Sequence, residues 1–444
     1  MGDTRHTRAG RNTTGGMSRR SFLRLGGAGL AGAALLGSGS LAGCGSSDSP
    51  GLTVASWDVA RDALKNTVPL FKKKRPDTPV RMQSITIDYQ QIIPRLQAGS
   101  GAPDVFSLGQ QDFQNFLERF PGAFVDVTDR MEKYRDQFAE APLSHALKDD
   151  KLYGVPWDMG PVGMWYRTDL FEQAGISPGD VSIYDDFIAA GRELGDKLGG
   201  TKMTAFDASG GGTNSSYYQL LLNQQDGGFY ADGGKIDFTN EKSYRAMNVL
   251  KRCVEEGIVV DTPTYDEISR AISNDDTATD MGAVWDVGLI KGAGGSAQKG
   301  KWDVMPLPAY SAGGPREATL SGSVLVISSQ SQDVDAAWDF IQEALLTKEG
   351  QSKSWAQGLF PSWEPYWNTA AFNEPDPYFG FAVAPKFADI ARNVPALEYG
   401  PHFLDFQKPL MDAYASILTT DTTPEDAFAT AEKRAATASG LKIA

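Results

Sequence analysis

Two cysteines and three histidines among 444 residues leave little room for thiol or metal chemistry. His6, His145 and His402 stand far apart, without the paired spacing a zinc site needs, so no metal and no cofactor is expected. Cys253 lies in "SYRAMNVLKRCVEEG", where Tyr244, Met247, Leu250 and Val254 recur at helical spacing. That pattern predicts a buried helical thiol rather than a reactive one. Nucleophile elbows of the GxSxG kind and phosphate-cradling GxxxxGK loops are absent. The glycine clusters at 210–212 and 292–295 lack the strand-to-helix context of a dinucleotide site and are predicted to be loops. No catalytic residue is assigned. Basic charge is also scarce, with 42 Lys and Arg against 56 Asp and Glu. Residues 1–43 hold six of those arginines and one aspartate, so the remaining chain carries a net −19. Such a surface excludes nucleic acid as a partner and would not cling to anionic lipid without a covalent anchor. No apolar run after residue 43 reaches the ~18–20 residues of a membrane span.

What is present at the N-terminus has the layout of an export signal. "SRRSFLR" (18–24) is followed by a weakly apolar Gly/Ala/Leu run from Leu25 to Gly43 and then by Cys44. Arg19-Arg20 with Phe22-Leu23 resembles the twin-arginine signal, and "LAGC" (Leu41 to Cys44) resembles the bacterial lipobox. The resemblance implies cleavage before Cys44, a diacylglycerol on its thiol, and membrane attachment on the outer face of the cell. Residues 1–43 are then a signal peptide and 44–51 a flexible tether of small and polar residues. About 400 residues beyond it are too many for one core, so two lobes are expected.

Short strands alternate with helical patterns along the first hundred residues of the body. "LTVASW" (52–57), "VRMQSIT" (80–86), "DVFSLG" (104–109) and "LYGVPW" (152–157) read as strands, which predicts parallel pairing in a sheet covered on both faces. Pro69 and Pro94 interrupt the intervening helices, so each should kink or restart there. Further on, "SIYDDFIAAGRELGDKLGG" (182–200) reads as a capped amphipathic helix, "MGAVWDVG" (281–288) and "TLSGSVLVIS" (319–328) as strands, and "VDAAWDFIQEALLTKEG" and "TPEDAFATAEKRAA" as helices.

The placement of aromatic residues is informative. Trp57-Asp58, Trp157-Asp158, Trp285-Asp286 and Trp363-Glu364 each set a ring beside an acid, and Gln110-Gln111 follows the third strand. Residues just past the carboxyl ends of strands face the crevice of an open sheet. A ring there can cover the C–H face of a sugar while the acid accepts hydrogen bonds from its hydroxyls, so the set suits a neutral polyhydroxylated ligand. A secreted glycosidase would use the same inventory, although no flanking carboxylate pair stands out.

"DDKLYGVPWDMGPVGMWYRTDLFEQAGI" (149–176) resembles the central motif of the family 1 extracellular solute-binding proteins of ABC transporters. "AGSGAPDVF" (98–106), "ISNDDTATDMGAVWDVG" (272–288), "WDVMPLP" (302–308) and "VDAAWDFIQEALLTKEGQ" (334–351) follow in the family's order, over nearly all of residues 52–437. The resemblance implies an α/β fold of the type II periplasmic-binding-protein kind, monomeric, with two lobes joined by three crossings and a ligand cleft between them. The crossings fall after Pro156, near Gly322 and after Gly350, which places 52–156 with 322–350 in the first lobe and 157–321 with 351–444 in the second. It also implies a sugar ligand, capture by lobe closure and delivery to the permease subunits of an importer. By motif position the expected contacts are Trp57, Asp58, Gln110, Gln111, Trp157, Asp158, Asn214, Tyr217, Tyr218, Trp285, Asp286, Gly322, Phe360 and Trp363. A polyol or a glycerophosphodiester is the alternative ligand, although a phosphate ester would want arginine or lysine where these positions are mostly neutral or acidic.

Overall fold

The computed structural model describes residues 51–210, 216–397 and 399–444. The leader, Cys44 and Asn214 lie outside the described residues. The described strands of three or more residues, in chain order, are β1 (Leu52–Ser56), β2 (Val80–Ser84), β3 (Val105–Gly109), β4 (Val155–Arg167), β5 (Thr204–Phe206), β6 (Val259–Asp261), β7 (Thr279–Ala283), β8 (Trp302–Met305) and β9 (Ala318–Ile327). β1, β2 and β3 pair in parallel with β1 in the middle, as the alternating pattern predicts. Helix α1 (Asp58–Lys74) buries Ala60, Ala63, Leu64, Thr67 and Phe71 on one stripe, and Lys72 to Lys74 complement the negative end of its dipole. It continues unbroken through Pro69, against the expectation of a restart. Pro69 and Lys65 are both exposed, so the carbonyl that the proline leaves without a donor can turn to water. Pro94, by contrast, opens a short helix at Ile93–Gln97.

The main sheet runs β7-β4-β9-β3-β1-β2, with β8 also paired to β4. β9 is antiparallel to both β3 and β4, and β7 and β8 are antiparallel to β4, so the sheet is mixed beyond its first three strands. β4 is thirteen residues long and buried throughout. The expected strand at 152–157 is only its beginning.

β4 and β9 do not stay in register. Thr319 opposes Pro161 and Gly322 opposes Met159, so Leu320 and Ser321 together face the single residue Gly160. A second shift follows directly, with Ser323 against Asp158 and Val324 against Pro156, which leaves Trp157 as the extra residue. These are two successive β-bulges, one on each strand. Ser321 takes a φ of 55°, the left-handed conformation that a bulge demands and that side chains seldom adopt. At Gly322 a Cβ would overlap the Asp158 carbonyl oxygen, so only glycine permits this approach of the two backbones.

Helices cover both faces. In chain order they are α2 (Gln110–Arg119), α3 (Tyr184–Lys197), α4 (Ser216–Gln224), α5 (Glu241–Glu255), α6 (Tyr265–Ser273), α7 (Asp286–Gly294), α8 (Val334–Leu345), α9 (Lys348–Trp355), α10 (Val383–Ala391), α11 (Phe403–Thr419) and α12 (Pro424–Ser439). One core gathers Val54, Phe71, Phe106, Phe113, Val326 and Phe340 around β1, β3 and β9, and extends through Phe360 and Phe372 to Trp165, Trp302 and Phe387. The other packs Val162, Met164 and Tyr166 against α3, α4, α5, α11 and α12. The far half of β4 thus buries Val162, Met164 and Tyr166 on one face and Trp165 on the other, as strand alternation requires. α3 starts at Tyr184 behind Ile183 without a side-chain cap; the Ser182 hydroxyl instead donates to Asp186. Cys253 lies in the second core, where burial pushes its thiol up to about 12. No helix among the described residues is long and apolar enough to cross a membrane.

Trp157 belongs wholly to the first core. It is 0 % exposed and its indole N–H donates to Ser354 Oγ at 2.9 Å. Trp157→Ala should therefore cost about 3–5 kcal/mol of unfolding free energy, read from urea denaturation. A loss under about 1 kcal/mol would show that this pocket is not packed as described.

Candidate ligand-binding site

The double bulge is where side chains with unused polar atoms and exposed rings gather. Six large hydrophobic side chains are exposed among the described residues, and four of them lie just past the carboxyl ends of strands: Val59 after β1, Ile87 after β2, Tyr265 after β6 and Trp285 after β7. This is where an α/β sheet opens its crevice. Trp285 is 41 % exposed. The expected strand through 281–288 ends at Ala283, and Trp285 caps α7, whose start turns the ring back over the bulge. A Cβ on Gly160 would enter that ring and come within 2.6 Å of the Leu320 carbonyl oxygen. Glycine at 160 is what seats the indole on the backbone.

Trp157 and Asp158 stand at the second bulge, where the regular alternation of the strand is interrupted. Trp157 goes inward, while Asp158 Oδ1 accepts the hydroxyl of Ser323 across the second bulge. Burial raises the Asp158 carboxyl above the usual range, opposed by hydrogen bonds from Ser323. Met159 N donates to the Phe360 carbonyl at 3.0 Å and Ser362 N to that of Trp157 at 3.1 Å, so the backbone at 360–362 closes the other edge of β4.

From the first-lobe side, Gln110 opens α2 directly after β3. It is 2 % exposed and its Nε2 has no partner. Next to it the Gly109 N–H donates to Tyr89 Oη at 2.7 Å, and Asp112 is pushed up to about 6 by burial against hydrogen bonds from Tyr89 and Gln111. Gln111 is half-buried, Trp57 half-buried as the cap of α1, and Asp58 exposed with a φ of 22°.

On the other side Tyr217 projects from α4. Its hydroxyl accepts from Met281 N at 3.0 Å and donates to Asp280 Oδ1 at 3.4 Å. Asp280 Oδ2, buried, has no partner. Asp286 packs against Gly282 beside it. Burial and the neighbouring Asp280 push the Asp286 carboxyl well above the carboxylate range, and burial raises that of Asp280.

Several expected contacts are core residues instead. Trp157 is one. Tyr218, one position along α4 from Tyr217, points about 100° away and donates to Ser243 Oγ at 3.2 Å with its ring beside Phe428. Phe360 is 0 % exposed among Trp355, Trp367 and Phe372 and offers only its carbonyl to the site wall. Trp363 is nearly buried, with its indole N–H satisfied by Gln137 Oε1 at 2.8 Å. Gly322 shapes the backbone and has no side chain to offer. Conversely, Asp280 and Tyr265 were not anticipated. An aspartate in the middle of "TDMGA", a strand buried at every position, is the signal that could have found Asp280.

A cavity of about 930 Å³ lies elsewhere, lined by Leu96, Gly101, Phe120 and Gln330 among others at the opposite end of β3. None of its lining side chains carries a buried polar atom without a partner. Gln110 Nε2, just past β3, and Asp280 Oδ2, on β7, are such atoms, and leaving such groups unpaired costs about 1–3 kcal/mol each. A hydroxyl-rich ligand under an aromatic ring would satisfy both.

Comparison with known proteins bears on the family and the fold. Residues 55–352 match the family described as bacterial extracellular solute-binding protein. The chain is 28 % identical over 317 residues to the arabinooligosaccharide-binding protein of Bacillus subtilis, covering 69 % of this chain and 72 % of that one. It is 29 % identical over 375 residues to the lactose-binding protein of Rhizobium radiobacter, covering 79 % and 84 %. In fold it resembles the galacto-N-biose/lacto-N-biose I-binding protein of the ABC transporter of Bifidobacterium longum, at a TM-score of 0.75 and 19 % identity over 89 % of this chain and 98 % of that one. The type II periplasmic-binding-protein fold is thereby established, and the chain belongs to the bacterial extracellular solute-binding protein family.

Proposed function

We propose that this chain is the sugar-capturing receptor of an ABC importer, exported, held at the outer face of the membrane through a lipid on Cys44, and handing its ligand to the permease subunits. The observation that carries the sugar reading is Trp285, an indole left 41 % exposed over Gly160, with unpartnered buried polar atoms at Gln110 Nε2, just past β3, and at Asp280 Oδ2 on β7. An exposed ring suits the C–H face of a sugar, and unpaired donors and acceptors suit its hydroxyls. The names of the two curated relatives, each a sugar-binding protein, support the same class. Trp57, Asp58, Gln110, Gln111, Asp158, Tyr217, Trp285 and Asp286 are the contacts retained from the sequence, joined by Asp280 and Tyr265.

The lobes divide where β4 and β9 pass between the two ends of the sheet, near Pro156 and Gly322, with a further crossing in the C-terminal third. A ligand touching Gln110 from one side and Trp285 from the other gains its full contact only when the lobes approach, so it favours the closed population. No covalent step is needed. Two close carboxylates, Asp280 and Asp286, are what a glycosidase would require, yet both pack on one glycine rather than flanking a bond from opposite sides.

A thermal-shift panel of maltose, lactose, arabino-oligosaccharides, a polyol and a glycerophosphodiester, followed by titration calorimetry, tests the function. At least one neutral sugar should raise the melting temperature and be recovered unchanged, and Trp285→Ala should weaken it by about 2–4 kcal/mol. A shift by the phosphodiester alone, or turnover of the sugar, would contradict the reading. For the anchor, Cys44→Ser should move the protein from the membrane fraction to the medium; retention at the wild-type level would remove the lipobox assignment.

A further inference from the structure

Asp280 and Asp286 form a pair that the sheet holds without a counter-ion. They belong to different elements, β7 and α7, but both carboxyls converge on Gly282, where a Cβ would overlap Asp286 Oδ2 and stand 2.8 Å from Asp280 Oδ2. Asp280 is 6 % exposed, and the oxygen aimed at that point has no partner.

The titratable groups bearing on the pair are Tyr217 from α4 and Tyr265 from α6. β4 places Gly163 opposite Gly282, and β5 contributes Thr204, which is not titratable. The cations of the neighbouring elements are turned elsewhere. Lys291 of α7 pairs with Asp376, Arg270 of α6 with Glu267 at 3.4 Å, and Arg167 of β4 with Asp169 and Asp275. Two carboxylates this close, Asp280 buried and Asp286 half-buried, with no cation among the described groups facing them, cannot both ionise cheaply.

We propose that Asp280 and Asp286 act as a one-proton recognition unit, donating one hydrogen bond to the ligand and accepting others, and so select uncharged hydroxyl-rich ligands against acidic ones. The inference rests on the receptor reading above and adds the ligand's charge class to it. A protonated carboxyl is a donor and its partner an acceptor, which complements a sugar hydroxyl that does both. A uronate or a sugar phosphate would bring a third negative charge to a place with no cation to receive it. Burial raises both carboxyls, and the neighbouring Asp280 raises Asp286 further, which agrees with a retained proton.

The sign of the pH effect follows. If the bound state needs the proton, affinity is full while the pair holds it and falls as pH rises through the pair's second ionisation.

Carboxyl-carbon NMR of the aspartate-labelled protein without ligand should show the pair titrating in two steps, the second above about pH 6, against about 3.9 for an ordinary aspartate. Asp280→Asn should return Asp286 toward the ordinary range, and Asp286→Asn should do the same for Asp280, which keeps the test available if one variant misfolds. Both carboxyls ionised by about pH 5 in the wild type would overturn the proposal. Calorimetry from pH 5 to 8.5 with maltose, lactose and a glucuronate-containing disaccharide reads recognition. Neutral-sugar affinity should fall about tenfold across the second step, the profile should flatten in the variants, and the acidic disaccharide should bind weakly throughout. Neutral sugars that bind with no pH dependence, or an acidic one that binds as well, overturn this inference alone. If no neutral sugar binds at any pH, the receptor reading falls and the ligand selection falls with it, while the carboxyl titration still decides whether the pair shares a proton.

Discussion

The close approach of β4 and β9 at Gly160 and Gly322 is the constraint on which the rest of the site depends. Two strands that stayed in register would carry Asp158, Gly160 and Ser321 through as ordinary ladder positions. The paired bulges break that ladder, turn Ser321 into the left-handed region and bring Asp158 against Ser323. They also leave a flat backbone step at Gly160 on which the Trp285 ring rests. A side chain at Gly322 would displace backbone, and one at Gly160 would meet the Trp285 ring and the Leu320 carbonyl oxygen, which is why the site is built from the main chain first.

Around this step the aromatic residues divide by what satisfies them. Trp157, Trp363, Trp302 and Trp367 each donate the indole N–H to a protein acceptor and sit in the core. Trp285 stays at the surface, over glycine and beside acids. Burying an aromatic ring of this size against a partner is a large apolar gain, and a monomer leaves one exposed at a strand end mainly where something else is to cover it. The polar side of the site follows the same logic, because Gln110 Nε2 and Asp280 Oδ2 are among the buried polar atoms that no protein group satisfies.

Much of the architecture was legible in the sequence. The strands at 52–56, 80–84, 105–109 and 318–327 fall within two residues of where alternation and β-branched composition place them, and the motif order identified the family that the comparison established. The site was legible in part. Trp57, Asp58, Gln111, Trp285 and Asp286 keep accessible surface and Gln110 an unpartnered amide, whereas Trp157, Tyr218, Phe360 and Trp363 are buried in the cores. For Trp157 the cause is local: a strand buried on both faces shows no alternation, so nothing in "VPWDMG" says which of Trp157 and Asp158 faces inward. The bulges that decide it depend on cross-strand register, which is a property of two segments far apart in the chain. Asp280 was overlooked because it was read as part of an acid-to-tryptophan motif rather than as a charge inside a buried strand.

Hydrogen–deuterium exchange with and without a neutral sugar that stabilises the protein tests the central claim most directly. Protection should rise together in the segments around Gln110, Asp158 to Gly160, Leu320 to Ser323 and Asp280 to Asp286, because one ligand at the double bulge orders all four. Protection confined to the cavity lined by Leu96, Gly101, Phe120 and Gln330, with these four segments unchanged, would place the ligand at the other end of β3 and contradict the account.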